Sequence, residues 1–573
     1  MARTHKHSST PRSAHDVIVV GAGIGGLYAL YELRRRGLDV VVLEAGEGVG
    51  GTWYWNRYPG ARVDVYSLSY SYSFSPELDQ EWEWKEYFAA QPELEAYLNH
   101  VADRFGLRSD ILLGRRVTTA RWDEGARRWT VADDTGERFT SRFVIWATGS
   151  YSRPKTPDIP GLDDFAGELY HTPTWPREPV SFADKRVGVV GTGATGMQVV
   201  TALSKEPLAH LTVFQRTPEY VVPAGALQVD PEHVDRIRRD YPAFREAARR
   251  APGGVVYDHF ERTDVGAMDD DEFEAFMRAA SDHPLGFYPL SGIKDLLTDR
   301  RVNDRVAEFI RSEIRRRVTD PATADKLTPR GYHLGSRRII GERGYLEIFN
   351  RSDVTLVDVR ADPIERVTPH GVRTASDEHP LDMLILATGF DSGTGALSLI
   401  DIRGEAQTLA HEWREGYRAY LGIATSGFPN SFMVWGPGSP SIRSQGFIAV
   451  EQQVDWLADL LDAAREGAVT RIESTPEADA AWSEHTERMV RASLLGEDDA
   501  QYYGSNVPGK PRRYLAYSGG TYVYGRLLER VRDAGYEGFE LTRADGTSAT
   551  SSRAWSGPPR DGSLQFRLGN TAI

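Results

Sequence analysis

The sequence predicts an α/β fold with two Rossmann-like dinucleotide-binding domains and a helical insertion. Two glycine-rich turns, Gly21–Gly26 and Gly191–Gly196, each follow an apolar strand and open a helix-like stretch. That order is the strand–turn–helix frame of a nucleotide-binding unit. A third observation is a charged interval with few strand signals, in which one helical face is formed by Val302, Val306, Phe309, Ile310 and Ile314.

Composition limits the class of protein. A chain of 573 residues suggests about three structural units. The net charge is −14 and no basic stripe carries interleaved aromatics, so no nucleic-acid partner is expected. Cysteine is absent, which excludes disulfides, thiolate metal sites and flavoenzymes with a redox-active disulfide. The N-terminus lacks a secretory signal and no segment suits a bilayer, so we expect a cytoplasmic monomer without a membrane partner or a metal.

The first unit has the pattern of an FAD- or NAD-binding domain. Its elements are the strand Asp16–Val20, the glycines Gly21, Gly23 and Gly26, the helix-like stretch Leu27–Arg36 and the strand Val40–Leu43. Glycines permit a tight turn and a close approach of backbone to pyrophosphate, whose charge rests on the helix N-terminus. Glu44 ends the second strand, and an acid there suits a free ribose 2′-hydroxyl.

The second unit repeats the pattern with a different partner residue. Its elements are the strand Arg186–Val190, the glycines Gly191, Gly193 and Gly196, and the strand Leu211–Phe214. Arg216 follows that strand, and an arginine there suits the 2′-phosphate of NADP. The alternative, that both glycine triplets mark only tight turns, is disfavoured by the complete frame around each. One FAD and one NADP together indicate a flavin-dependent redox enzyme.

We predict domain boundaries from composition shifts and from the two strand ends Ala147–Gly149 and Ala387–Gly389. The predicted segments are a disordered tail at 1–14, the first segment of the FAD-binding domain at 15–150, the first segment of the NADP-binding domain at 151–222, a helical subdomain at 223–328, the second segment of the NADP-binding domain at 329–382, the second segment of the FAD-binding domain at 383–545 and a C-terminal tail at 546–573. A long helix is expected near Glu451–Glu466.

Two motif clusters carry a resemblance to a known family. One runs from Phe165 to Pro176 between the glycine fingerprints, and the other from Gly50 to Asp64. Further matching segments are Ser336–Arg338, Tyr345–Asn350, Gly436–Pro440 and Asn506–Lys510. From about residue 15 to about residue 540 the chain resembles the type I Baeyer–Villiger monooxygenases, which insert one oxygen atom of O₂ next to a ketone carbonyl.

The resemblance implies a reaction, two cofactors and two catalytic residues. A ketone, O₂ and NADPH would give an ester or lactone on FAD, through an anionic C4a-peroxyflavin stabilised by Arg338, with Asp64 positioning that arginine. Sulfides are a second expected substrate class. The chemistry needs a fixed cation beside the anion in a site closed to water. Otherwise Arg338 would be a surface arginine or a phosphate contact, and Asp64 a turn-forming acid.

Further residues are assigned to the cofactors and to the link between the domains. The residues assigned to FAD are Gly51, Thr52, Trp53, Asp64, Tyr70 and Val117; those assigned to NADP are Thr192, Thr195, Gln198, Arg216, Thr217 and Arg337; those assigned to the linking motif are Phe165, Gly167, His171 and Trp175. The family usually has lysine at position 337, and arginine keeps the charge. We expect His171 to be structural, because the chemistry needs no base there.

Four positions bear on substrate and coupling. In the loop after Pro440, where the family tends to carry apolar residues, this chain has Ile442, Arg443 and Gly446, and the charge and the glycine predict a roomier or more polar pocket. Gln501 stands where relatives usually have a tryptophan, and this change is expected to affect coupling, that is, retention of the peroxide until the ketone arrives. Rival interpretations are an N- or S-oxidising flavin monooxygenase, an NADPH oxidase, and a nucleotide-bound regulatory protein without catalysis. Chain length, Arg338 and Asp64 argue against the enzymatic rivals.

Overall fold

The computed structural model describes residues 13–256, 263–441 and 444–548, together with Trp555, 567–568 and 571–572. Its strands are β1 Ala14–Val20, β2 Val40–Leu43, β3 Ile111–Leu112, β4 Val117–Asp123, β5 Arg128–Asp133, β6 Arg138–Trp146, β7 Glu168–His171, β8 Arg186–Val190, β9 His210–Gln215, β10 Val221–Pro223, β11 Ile340–Glu342, β12 Val354–Asp358, β13 Ile364–Thr368, β14 Gly371–Thr374, β15 Glu378–Pro380, β16 Met383–Leu386, β17 Asp401–Arg403, β18 Ser431–Met433, β19 Val469–Ser474, β20 Phe539–Arg543, β21 Arg567–Leu568 and β22 Thr571–Ala572.

The helices lie between these strands, singly or in runs of several helices. They are α1 Ile24–Arg35, α2 Thr52–Trp55, α3 Pro76–Glu81, α4 Gln91–Arg104, α5 Ala194–Leu203, α6 Pro231–Arg239, α7 Tyr241–Arg250, α8 Asp270–Ser281, α9 Pro289–Gly292, α10 Arg300–Arg317, α11 Pro321–Leu327, α12 Tyr345–Ile348, α13 Leu409–Glu412, α14 Gly446–Glu466, α15 Pro476–Arg491 and α16 Thr521–Asp533. The expected amphipathic face of α10 is confirmed, since all five of its apolar residues are buried.

The first sheet contains the first glycine fingerprint. Its strand order is β17-β4-β5-β6-β1-β2-β3, and β18 also pairs with β6. β1 lies between two parallel neighbours, β2 and β6, and its last four residues are buried. An apolar strand buried on both faces is typical of a sheet covered by helices on both sides. Here α1 and α14 pack against each other beside this sheet.

The second sheet is parallel throughout, in the order β12-β9-β8-β16-β7. The boundary expected between residues 382 and 383 is therefore wrong. β16 pairs with β8 from Met383 to Leu386 and lies inside the NADP-type sheet. All four of its residues are buried, so the strand needs parallel neighbours on both sides, and β7 and β8 supply them. The chain reaches the first sheet again only at β17.

The helical insertion is divided between two cores, which corrects the single subdomain expected for 223–328. Helices α8 and α10 contribute to a separate cluster that includes Phe273, Val306 and Ile310. Helices α6 and α7 instead pack on the first nucleotide-binding unit. Arg245 of α7 forms a fully buried ion pair with Asp79 of α3, and its guanidinium also donates to the backbone carbonyl of Tyr72 at 3.0 Å.

The two predicted tails fall mostly outside the described residues. At the N-terminal end β1 already begins at Ala14, one residue inside the expected tail, because its register with β6 starts at the pair Ala14–Thr140. At the C-terminal end Trp555 is buried, 7% exposed. Its ring lies 5.6 Å from that of Trp482 and 5.9 Å from that of Tyr420, so the tail is packed at this residue.

Membrane-spanning helices and metal clusters are both absent from the described residues. None of the helices there is both long enough and apolar enough to span a membrane. No group of three or more His, Cys, Asp or Glu residues in that same portion of the chain could hold a metal ion.

Replacing Arg245 by methionine should destabilise the protein by about 3–5 kcal/mol, because it leaves the Asp79 carboxylate buried without its cation. Calorimetric unfolding of the holoprotein would show a melting temperature several degrees lower. Arg250→Met, on the same helix but at an exposed position, is the matched control. Equal melting temperatures for Arg245→Met, Arg250→Met and the wild type would contradict this role. A double Asp79→Asn, Arg245→Met variant should recover part of the lost stability.

Candidate active site

The first glycine loop fits a pyrophosphate by both steric and hydrogen-bonding criteria. Gly21 has φ +105°, and a Cβ there would lie 2.6 Å from the Ala147 carbonyl oxygen. A Cβ on Gly26 would lie 1.7 Å from the Gly21 carbonyl oxygen, so the backbone crosses itself here without room for side chains. Helix α1 begins after Gly23, and no side chain caps it. Its first N–H groups are therefore available to an anion.

Glu44 lies at the end of β2, where the sequence placed the ribose partner. Its carboxylate accepts hydrogen bonds from the backbone N–H of Ala22 at 2.6 Å and of Gly46 at 2.7 Å. Burial raises its pKa, and the two backbone donors oppose that effect. Two backbone hydrogen bonds thus hold the carboxylate beside the glycine loop.

The other residues assigned to FAD differ in position. Gly51, with φ +55°, packs on Gly23 so closely that its Cβ would come within 2.8 Å of that Cα. Trp53 is buried and donates from its indole N–H to the Tyr70 hydroxyl at 3.2 Å. Thr52 is exposed at the start of α2, whereas Val117 is 6% exposed in the core under β4.

The second glycine loop repeats this construction. A Cβ on Gly191 (φ +106°) would lie 2.5 Å from the Ala387 carbonyl oxygen, and one on Gly196 would lie 1.9 Å from the Gly191 carbonyl oxygen. Gly193 precedes α5 with no side-chain cap and faces open space. Thr192 is buried and donates to the Thr217 carbonyl at 3.3 Å. The loop therefore also fits a pyrophosphate.

Gln198 lies one turn into α5 and contacts the first unit. Its side-chain oxygen accepts from the Tyr58 hydroxyl at 2.9 Å, and its amide donates to the Arg62 carbonyl at 3.1 Å. Gly60, with φ +80°, comes so close that a Cβ there would lie 2.5 Å from the Gln198 carbonyl oxygen. The sequence placed Gln198 at the NADP pyrophosphate; the structure shows that it also holds the loop 58–64, which carries Asp64.

The three residues assigned to the 2′-phosphate surround the end of β9. Arg216 is exposed, and Thr217 is buried and accepts a hydrogen bond from Arg360 at 2.9 Å. Arg337 donates to the Asp499 carbonyl at 3.2 Å. Sequence reasoning missed Glu219, whose carboxylate lies 3.7 Å from Arg337, and Arg360. The acid stands two residues after Thr217, and that proximity was the available signal.

Arg338 and Asp64 form a two-point ion pair between distant segments of the chain. Arg338 donates from Nε to Asp64 Oδ2 at 2.7 Å and from Nη2 to Oδ1. The negative charge of Asp64 is the largest influence on the arginine and raises its pKa, while burial opposes that rise. Arg338 is 35% exposed and Asp64 28% exposed, so the pair is reachable at the wall of a cleft.

Four tyrosine side chains lie close enough to this ion pair to interact with it electrostatically. The charges of Arg338 and Asp64 act on Tyr58, Tyr70 and Tyr151, and Tyr502 acts on Arg338. Burial raises the pKa of Tyr58 and of Tyr70 to about 12. Only Tyr70 was predicted; Tyr58 lies inside the Gly50–Asp64 motif and Tyr151 follows the strand end at Gly149, which was the available signal.

The motif Phe165–Pro176 contributes β7 to the second sheet. It lies beside the linker between the two units, the proline-containing stretch 154–160. Gly167 packs against the Asp382 carbonyl and the Phe165 ring, and Trp175 packs against Phe182. His171 ends β7, and its Nε2 lies 3.4 Å from the Thr388 hydroxyl, which donates to the Lys155 carbonyl at 2.6 Å. Burial lowers the pKa of His171, which favours a neutral imidazole.

The positions assigned to the substrate pocket are only partly visible. Ile442 and Arg443 lie outside the described residues. Gly446 begins α14, where a Cβ would come within 3.1 Å of the Trp435 ring. Gln501 is exposed, whereas the next residue, Tyr502, is buried and interacts electrostatically with Arg338.

A cavity of about 130 Å³ borders Asp64. Its wall is built by the first unit, by α5, by the insertion and by the segment around β11, through residues that include Phe88, Gln198, Leu285 and Arg343. These four regions of the chain therefore meet beside the carboxylate of the ion pair.

Comparison with known proteins gives a family match and close relatives. A family model described as pyridine nucleotide-disulphide oxidoreductase matches residues 18–240. The chain is 38% identical over 532 residues to acetone monooxygenase (methyl acetate-forming) of Gordonia sp., covering 92% of this chain and 99% of the relative. It is 38% identical over 538 residues to a Baeyer–Villiger monooxygenase of Pseudooceanicola batsensis, covering 93% and 97%.

A third relative acts on nitrogen, and solved structures share the fold. Phenazine N-monooxygenase PhzNO1 of Lysobacter antibioticus is 39% identical, covering 92% of this chain and 97% of that protein. Cyclohexanone monooxygenase from Rhodococcus sp. Phi1 bound to NADP⁺ superposes with a TM-score of 0.89 at 39% identity, covering 93% and 100%. OTEMO in complex with FAD and NADP gives 0.88 at 38%, covering 92% and 99%.

Replacing Gln198 by leucine should loosen the loop 58–64, because the Tyr58 hydroxyl and the Arg62 carbonyl lose their partner. An unsatisfied buried group costs about 1–3 kcal/mol, so amide hydrogen exchange in this loop should accelerate about 10- to 100-fold. Gln80→Leu, which removes an exposed side-chain contact to the Arg238 carbonyl, is the control. Unchanged exchange at residues 58–64 in Gln198→Leu would contradict the positioning role.

Proposed function

The chain belongs to the Baeyer–Villiger monooxygenases, and we propose that it converts a ketone into the corresponding ester or lactone. As a member of that family it is a monooxygenase that contains FAD and uses NADPH. The overall reaction consumes a ketone, O₂, NADPH and one proton, and yields an ester, NADP⁺ and water. One oxygen atom enters the bond between the carbonyl carbon and its neighbour, and the other leaves as water.

The contact between Arg338 and Asp64 supports this proposal most directly. A guanidinium has five N–H donors in a rigid plane, and Asp64 takes two of them. Within the described portion of the chain, the remaining three have no protein partner. A cation fixed on one edge can present its other edge where negative charge develops on oxygen, without reorganising at that moment.

When bound, FAD reduced by NADPH supplies the electrons that activate O₂. The residues around Arg338 supply the environment. The phenols of Tyr58 and Tyr70 are protonated at neutral pH, and burial raises their pKa further, to about 12, so they add no negative charge beside the arginine. Asp64 balances some of the guanidinium charge and fixes its plane. His171, kept neutral by burial that lowers its pKa, joins a strand end to the linker and does not participate in proton transfer.

A second candidate function is oxidation at nitrogen. The observation that favours it is the 39% identity to phenazine N-monooxygenase. A panel of linear, cyclic and polycyclic ketones, with a phenazine and a sulfide, distinguishes the candidates by the product that gains one oxygen mass. Hydrogen peroxide measured in the same samples reports uncoupled oxidation of NADPH. Oxygen gain by the phenazine or sulfide alone would replace the ketone proposal.

We also infer that the protein acts as a monomer in the cytoplasm and oxidises sulfides as a side activity. These three inferences rest on the sequence alone. Gln501 is exposed and stands where relatives usually have a tryptophan, so some NADPH is expected to be oxidised with release of peroxide instead of ester formation.

Replacing Arg338 by alanine should abolish ester formation while oxidation of NADPH with release of peroxide continues. Loss of a single preorganised donor lowers turnover about 10²- to 10³-fold, and this change removes the whole cation. Product mass and peroxide would be measured together. Arg330→Ala, at an exposed arginine paired with Asp325, is the control. Ester formation at the wild-type rate in Arg338→Ala would refute the assignment.

Replacing Arg216 by alanine should raise the KM for NADPH about 10- to 100-fold, because a charge-assisted hydrogen bond contributes about 1.5–3 kcal/mol. The KM for NADH, which has no 2′-phosphate, should change little. Steady-state kinetics with both nucleotides makes the comparison. Arg186→Ala, which breaks an exposed pair with Asp382 in the same sheet, serves as the control. Equal effects on both nucleotides would rule out the phosphate contact.

A further inference from the structure

Glu219 places a carboxyl group beside Arg337, one of the arginines of the proposed 2′-phosphate site. Its Oε1 lies 3.7 Å from Nη1 of Arg337, and the side chain is only 14% exposed. Its other oxygen lies 3.2 Å from the Tyr332 hydroxyl. The nucleotide's phosphate and this carboxylate would therefore share the same guanidinium.

The hydrogen bonds around Glu219 suit its protonated form. The Tyr332 hydroxyl has one hydrogen, and its shorter contact, 2.7 Å, is to the Pro218 carbonyl. If that hydrogen is donated to Pro218, a protonated Glu219 can donate to the tyrosine oxygen. A carboxylate in the same place would have to take that hydrogen from the carbonyl.

Arg337 is incompletely satisfied by the protein. It donates to the Asp499 carbonyl at 3.2 Å, and its guanidinium lies 5.1 Å above the Tyr332 ring. Its Nε is buried without a partner among the described residues. A buried donor without an acceptor is costly, so a further acceptor such as a phosphate oxygen would be bound favourably.

The groups that face Glu219 come from three segments of the chain. Arg337 and Arg216 favour the carboxylate, and Tyr332 and Tyr345 are neutral phenols close to it. The carboxylate of Asp499 is directed to Arg512 at 3.8 Å. Burial outweighs the two arginines and raises the pKa of Glu219 to about 7. The group therefore changes charge near neutral pH.

We propose that Glu219 is a proton-dependent determinant of nucleotide specificity, and that binding of the 2′-phosphate drives a proton onto it. This inference rests on the proposed NADP site. The carboxylate competes with the phosphate for Arg337 and repels it, whereas the neutral acid does neither. A bound phosphate raises the proton affinity of Glu219 further. NADP⁺ therefore binds most tightly when the acid is protonated, and its affinity falls as the pH rises through the pKa of Glu219 in the free enzyme.

Calorimetric titration of the FAD-bound protein with NADP⁺ and with NAD⁺ tests the proposal. Titrations in two buffers of different ionisation enthalpy, without phosphate, count the protons taken up. Near pH 8, wild type should take up as much as about one proton more than Glu219→Gln on binding NADP⁺. From about pH 6.5 to about pH 8.5, wild-type affinity should fall about tenfold relative to that of Glu219→Gln. Titration of the 2′-phosphate itself, near pH 6, is common to both proteins.

Three outcomes would overturn the inference. Equal proton counts and equal pH profiles in wild type and Glu219→Gln would exclude Glu219 as the titrating group. If Tyr332→Phe reproduced the effect of Glu219→Gln at every pH and with NAD⁺ as well, the role would be only structural. If wild type bound NAD⁺ as well as NADP⁺, the 2′-phosphate site itself would fail. A preference for NADP⁺ over NAD⁺ that is lost in Arg216→Ala but kept, with an unchanged pH profile, in Glu219→Gln would show that the 2′-phosphate site exists and that only the role of Glu219 fails.

Discussion

The ion pair between Arg338 and Asp64 is the interaction on which the arrangement of the site depends. Its two members are 274 positions apart in the chain, one beside the first glycine loop and one just before β11. The pair forms only when the first unit, which carries Asp64, and the segment 329–382, which carries Arg338, are both folded in place. The orientation of the Arg338 guanidinium is thus fixed by the whole fold rather than by a local turn.

Neighbouring contacts reinforce that constraint. Gln198 holds the loop that carries Asp64, and Tyr58 is shared between Gln198 and the surroundings of the ion pair. The segment 336–338 places Arg337, proposed for the 2′-phosphate, and Arg338, the proposed catalytic arginine, next to each other in sequence. Arg337 faces the second unit through Glu219, while Arg338 faces the first through Asp64. The two proposed roles therefore share one short backbone segment.

The glycine frames and the strands and helices around them could be predicted because each leaves a local pattern: strand, glycines, helix, then a charged residue. The pairing of Arg338 with Asp64 was expected only from the resemblance to a known family, because no local pattern joins residues 274 positions apart. What escaped prediction depends on packing between distant segments. β16 ends like the strand before Gly149, and only its register with β8 reveals its sheet. Helix α7 has the same periodicity as α10 but is held by Asp79, about 170 residues earlier in the chain. Tyr502 could not be distinguished from Gln501 by sequence, because burial decides which of them approaches Arg338.

The meeting of Gly60 with the Gln198 carbonyl has a mechanical consequence. Hydrogen bonds of Gln198 to Tyr58 and to the Arg62 carbonyl flank this contact. A point that stays fixed during a rigid rotation lies on the rotation axis, so any rotation of the second unit that keeps this contact must have its axis through it. Points near an axis move little and remote points move far. The short loop from Gly60 to Asp64 would stay almost still while the distal regions of the second unit swing, which makes the contact a pivot.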